Sequence, residues 1–175
     1  MLSVEELPYQ LYMNFHQKHQ LQLDYSFQTQ ANSEVDVEFS KWNNAADSFL
    51  LTYSVQPVWF SNPAPYPERT RHVAMQVSKL KNVCTHVMYW SPDIVRWDSY
   101  EGPNASGAKI ASWSYDKNNI TRRKIEGSRT SNPVVIPAPE DSTHARMNLW
   151  LLNGLGPSNN KEVEVIIKSF NYIPL

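Results

Sequence analysis

Glu34-Val35-Asp36-Val37-Glu38-Phe39 is the stretch on which the reading of this chain turns. Residues two apart on an extended strand share a face, so Glu34, Asp36 and Glu38 project one way while Val35, Val37 and Phe39 project the other. One face is built to be buried and one to be presented, the pattern of an antiparallel sheet covered on a single side. Three acids on the presented face resist joint ionisation, which favours holding at least one of them protonated. A carboxylic acid beside a carboxylate is the pair that general acid chemistry near neutral pH requires. Lys161-Glu162-Val163-Glu164-Val165-Ile166-Ile167-Lys168 offers a comparison: it alternates two acids, but its acidic face continues with Ile166 and Lys168, as on an ordinary edge or surface strand.

Outward from this strand the same period of two recurs. Leu11, Met13 and Phe15 alternate with Tyr12 and Asn14, and Leu21, Leu23, Tyr25 and Phe27 alternate with Gln22, Asp24, Ser26 and Gln28, which predicts a hairpin. Phe49, Leu51, Tyr53 and Val55 define the strand after the acidic one, with Asn43-Asn44 and Asp47 supplying the turn between them. Further strands are expected over 72–77, 84–90, 94–100, 108–115, 145–152 and 162–172. The stretches Pro57 to Pro67 and Pro133 to Pro139 read as loops, because proline lacks the N–H that a central ladder needs. Short strands, few helices and frequent turns predict an all-β fold, a two-sheet antiparallel β-sandwich or a barrel, formed by a single domain over residues 1–175.

Composition narrows the class of function. Of the 175 residues 41% are hydrophobic and 19% charged, with 12 Pro, 6 Trp and 9 Tyr, which is the balance of a folded, aromatic-rich domain. Sixteen basic against 17 acidic residues give a formal charge of −1, and the densest basic run is Arg122-Arg123-Lys124, so no nucleic-acid partner is expected. Cys84 is the sole cysteine, which excludes an intrachain disulfide and a cysteine-built metal site. Neither a membrane-spanning run nor an export signal is legible, the chain opening Met1-Leu2-Ser3-Val4-Glu5-Glu6. Two glycosylation acceptor sequences, Asn104-Ala105-Ser106 and Asn119-Ile120-Thr121, matter where a eukaryotic secretory pathway handles the product.

With its neighbours, the acidic stretch resembles the Glu-x-Asp-x-Glu signature of glycoside hydrolase family 16, the laminarinase and lichenase family with a concanavalin-like jelly roll. Three further segments agree in order: Thr85 to Trp97 is similar to the family's histidine-bearing strand, tight turn and tryptophan-bearing strand; Met147-Asn148-Leu149-Trp150 to its strand opposite the catalytic one; and Val163 to Pro174 to its final core strand. Phe39-Ser40-Lys41-Trp42 and Tyr53-Ser54-Val55-Gln56-Pro57 resemble a bacterial-type branch of it. The resemblance covers about residues 21 to 174. It implies retaining, internal cleavage of a β-glucan-like polysaccharide, with Glu34 as nucleophile, Glu38 as acid/base and Asp36 as the assisting carboxylate. It implies no organic cofactor, leaves room for a structural calcium, and suggests a secreted monomer with no membrane partner.

The chain departs from the family in placing only 33 residues before the acidic motif, so an N-terminal truncation is expected, lacking some strands and the signal segment. A carbohydrate-binding, lectin-like sandwich without catalysis, or an inactive fragment of such a hydrolase, is the alternative that this departure raises. Trp42, on the parity of the acids, is a candidate to stack on a sugar ring, and Asn148 and Trp150 match the family's cleft-lining pair. Gln56 lies on the polar face of its strand and completes the substrate-binding candidates. His86, beside Trp90 and Trp97, reads as a hydrogen-bonded structural histidine between core tryptophans. His16 and His19 fall on opposite faces and make no shared metal site, and no metal ligands are expected. His72 and His144 have no evident partner, and Trp59 and Tyr66 lie in the first proline-rich loop.

Overall fold

The computed structural model describes residues 10–17, 33–40, 49–55, 70–74, 83–119, 136–137, 143–154, 162 and 164–174. The regular elements among them are eight strands and two short 3-10 turns. The strands are β1 (Gln10–Gln17), β2 (Ser33–Phe39), β3 (Phe49–Val55), β4 (Thr70–Ala74), β5 (Cys84–Trp90), β6 (Ile94–Glu101), β7 (Lys109–Asp116) and β8 (Thr143–Trp150). All pairings are antiparallel and form two sheets, β4-β3-β2-β1-β8 and β5-β6-β7, so the described part of the chain is all-β.

The acidic strand β2 lies at the centre of the larger sheet. Its valines behave as the alternation dictates: Val35 and Val37 are buried with Leu51, Tyr53 and Val55 of β3. The smaller sheet contributes Val95, Trp97, Ala111 and Tyr115 to the same core, and Ile136 joins them. Each such aliphatic side chain contributes roughly 1.5–3 kcal/mol when fully removed from water. Trp97 is sealed from solvent between Tyr53 of β3 (ring centroids 5.8 Å apart, 18° between planes) and Trp113 of β7 (5.0 Å, 17°). A polar link runs beside this stack, where the Tyr53 hydroxyl lies 2.5 Å from Ser99 Oγ and His86 Nδ1 lies 2.7 Å from the same oxygen. Phe39 meets the His86 ring edge-on at 5.1 Å.

The second sheet is a meander whose strand ends match the sequence reading within one residue. Its β6–β7 connection is tightly specified: Glu101 N–H donates to Ala108 O at 2.9 Å, Gly102 N–H to Val83 O at 2.8 Å, and Thr85 Oγ1 to Gly102 O at 2.8 Å. Gly102 has φ of +87°, and a Cβ on Gly107 would stand 1.7 Å from the Glu101 carbonyl oxygen. Glycine is therefore required at 107 by backbone contact.

Two expectations are corrected. β1 is paired along both edges, with β2 and with β8, which leaves no edge for a hairpin partner at 21–27, a segment outside the described residues. Residues 164–174 form no strand, and Ile166, Ile167, Phe170, Tyr172 and Ile173 are exposed. The alternation of Glu162 to Val165 breaks at the doublet Ile166-Ile167, which puts apolar groups on both faces and removes the signal that fixes a register. The loop at Pro133 to Pro139 is borne out at its two described residues, though Ile136 and Pro137 are buried and Pro137 O accepts the Trp90 indole N–H at 2.6 Å.

Gly107→Ala should lower stability by about 2 kcal/mol or more, read as a fall in the urea midpoint, because main chain rather than a flexible side chain must move. Burial holds the His86 imidazole down to about 4. The unfolded chain, with histidine near 6.5, then binds the proton that the folded chain refuses. Stability should fall as pH drops from about 6.5 to about 4, by on the order of 3 kcal/mol from this residue. His86→Gln should flatten that window in urea melts taken across it.

Candidate active site

Strand parity turns Glu34, Asp36 and Glu38 away from the core that Val35 and Val37 enter, yet they are not solvated. Glu34 and Glu38 keep 6% and 5% of their surface exposed and Asp36 none. Burial of a carboxyl group demands hydrogen-bond donors. Ser54 supplies one, its Oγ donating to Asp36 Oδ2 at 2.7 Å, and Ser54, Thr52 and Ser40 are themselves buried.

Directly opposed residues of an antiparallel pair share a face, so the ladders show which positions stand in the rows of the acids. One row crosses all five strands as His72, Thr52, Glu38, Tyr12 and Asn148. A second runs Thr70, Ser54, Asp36, Asn14 and Arg146, and a third joins Glu34, His16 and His144. Asn148, exposed on β8, thus shares the row of Glu38 two strands away, roughly 10 Å at the usual strand spacing. Trp150 closes β8 on the same parity, with its backbone opposite Gln10. Trp42 and Gln56 lie outside the described residues.

Reading single strands misses most of this face. His72, His144, Arg146, Tyr12 and Asn14 join the acids only through register with strands far away in sequence. The available signal was the polar parity of each strand: Tyr12 and Asn14 alternate with the apolar residues of β1, and His144, Arg146 and Asn148 occupy alternate positions of β8.

Among the described residues outside this face, His86 and Cys84 have structural surroundings. His86 is held by Ser99 in the core as expected, Trp97 is fully buried and Trp90 partly so. Cys84 is half-buried, and its thiol is pushed up by burial and by the Glu101 carboxylate, which keeps it protonated and a poor nucleophile. Glu162 and Glu164 of the comparison stretch are exposed. Among the described residues no group of three His, Cys, Asp or Glu side chains is arranged to hold a metal ion, and no helix is long and apolar enough to cross a membrane.

In comparisons with known proteins, no family model, no curated protein and no solved structure matches this chain.

Proposed function

We propose that the chain is an endo-acting, retaining glycoside hydrolase of the family 16 type, cutting a β-glucan-like polysaccharide on a two-sheet sandwich of jelly-roll form. The observation that carries this reading is the buried row of three alternating carboxyl groups on the face of β2 away from the core, its middle member bonded to Ser54. Glu34 attacks the anomeric carbon, Glu38 donates a proton to the departing oxygen and later activates water, and Asp36 positions and tunes its neighbour. Retention requires the two reacting carboxyl groups about 5–5.5 Å apart. Four residues of strand place the Cα atoms of Glu34 and Glu38 roughly 13 Å apart, so their side chains converge over Asp36 in the reacting state.

The double displacement is complete with carboxyl groups and water, so the reading needs no organic cofactor and no metal. Asn148 binds a sugar hydroxyl about two strand spacings from Glu38, and Trp150, Trp42 and Gln56 extend the contact to neighbouring rings. The working form is a secreted monomer.

A second reading, a carbohydrate-binding sandwich without turnover, is favoured by one observation: Glu34 and Glu38 retain very little exposed surface. Reducing-sugar release from lichenan, laminarin, xyloglucan and agarose separates the two. Hydrolysis of one glucan is expected, with Glu34→Gln and Glu38→Gln each lowering kcat by about 10³-fold or more and leaving KM little changed. Activity that survives either substitution would sink the assignment, and binding without release by the parent chain would establish the second reading. The parent pH–rate profile should be bell-shaped, with its acidic limb set by ionisation of the nucleophile and its basic limb by loss of the acid's proton.

Ser54→Ala removes a donor from the buried Asp36 carboxyl group and should cost about 2 kcal/mol of stability, read by urea titration at pH 7.

A further inference from the structure

The loop between β6 and β7 carries Asn104-Ala105-Ser106, an acceptor sequence whose middle residue is not proline. We infer that Asn104 is a built acceptor for oligosaccharyl transfer, taking an N-linked glycan from a lipid-linked oligosaccharide diphosphate. The inference is independent of any hydrolytic activity.

Geometry separates this sequence from a chance match. Asn104 Oδ1 accepts both the Ser106 backbone N–H at 3.0 Å and the Ser106 hydroxyl at 2.5 Å. The carboxamide oxygen is therefore held by the loop, while Asn104 as a residue stays exposed. Two donors on the oxygen draw electron density from the amide and make the Nδ2 protons easier to lose as the new bond forms. The hydroxyl that the acceptor sequence specifies is thus already engaged in the folded chain.

Access is equally specific. Pro103, Asn104, Ala105 and Ser106 are all exposed, while the loop beneath them is fixed by the Glu101–Ala108 closure and by Gly107, whose N–H donates to Asn104 O at 3.4 Å. The loop belongs to the sheet that does not carry the acids, so a glycan there does not load the strand with Glu34, Asp36 and Glu38. Transfer is redox-neutral. Asn104 Nδ2 bonds to the anomeric carbon of the first sugar, and the bond from that carbon to the diphosphate oxygen breaks. The lipid diphosphate leaves with the electron pair, and the Nδ2 proton passes to a base of the transferase.

The second acceptor sequence provides an internal comparison. Asn119 ends the 3-10 turn Lys117–Asn119, and Ile120 and Thr121 lie outside the described residues. Trypsin places the two asparagines on different peptides, Asn104 on 97–109 and Asn119 on 118–122.

The test directs the full chain into the secretory pathway of a eukaryotic cell behind a leader peptide. Glycans are then removed with peptide-N-glycosidase in heavy-oxygen water, and the tryptic peptides are weighed. Peptide 97–109 should carry the asparagine-to-aspartate mark in most molecules, Asn104→Gln and Ser106→Ala should abolish it, and Ser106→Thr should retain it. If secretion fails, folded chain purified without a leader is offered to a transferase with lipid-linked donor and read in the same way. An unmarked 97–109 peptide from folded parent chain overturns the inference, as does modification at Asn119 with Asn104 bare.

Discussion

The register of β2 is the constraint on which the other features rest. Because the side-chain period of a strand is two, sliding β2 by one residue against its neighbours would exchange its faces. Val35 and Val37 would leave the core, and Glu34, Asp36 and Glu38 would enter it among Leu51, Tyr53, Val55 and Trp97. An uncompensated buried carboxylate costs several kcal/mol, and three together exceed a small domain's whole stability margin. β2 is thus locked by what its wrong face would bury as much as by what its right face does. The lock propagates: Asp36 opposite Ser54 and Asn14, and Glu38 opposite Thr52 and Tyr12, fix β3 and β1, and β1 in turn fixes β8.

Beneath that face the two sheets are held in one relative position by directional contacts as well as area. Ser99 is fully buried and lies within hydrogen-bonding distance of both Tyr53 from the other sheet and His86 from the neighbouring strand. A buried hydroxyl with two partners tolerates little sliding, since displacement leaves polar groups unsatisfied. Trp97 shows the balance in the same place. Its indole N–H is buried without an acceptor among the described residues, a cost of about 1–3 kcal/mol. Stacking on Tyr53 and on Trp113 returns about 0.5–1.5 kcal/mol for each pair beyond the area they bury.

What was legible in the sequence follows from this physics. β2 and β3 announce themselves by the alternation of apolar and polar residues, although both of their faces are buried, and β5, β6 and β7 by strand-forming runs between turn signals. The partners of the acids were not legible, because β8 begins more than a hundred residues beyond β2 and no local pattern encodes which strands align. His86 could be read as structural because a histidine among tryptophans has little but a core to occupy. Residues 164–174 were read as part of a strand from the alternation of Glu162 to Val165 and from resemblance, but Ile166-Ile167 spoils the parity that makes a strand fit one side of a sheet. The expected loop around Ile136 was correct in type, while its burial followed from a distant requirement, the acceptor that the Trp90 indole finds at Pro137.

The residue types around the acids carry one more step. On β3 the ladder sets Ser54 opposite Asp36 and Thr52 opposite Glu38, two buried hydroxyl groups. A cation at either position would favour the ionised form of the carboxyl group beside it. A hydroxyl group hydrogen-bonds to a carboxyl group in either protonation state. It therefore permits burial without fixing charge. Arg146 stands exposed two strands from Asp36 in the same row, roughly 10 Å away at the usual strand spacing, so the cation of that row is no direct neighbour of the carboxyl group.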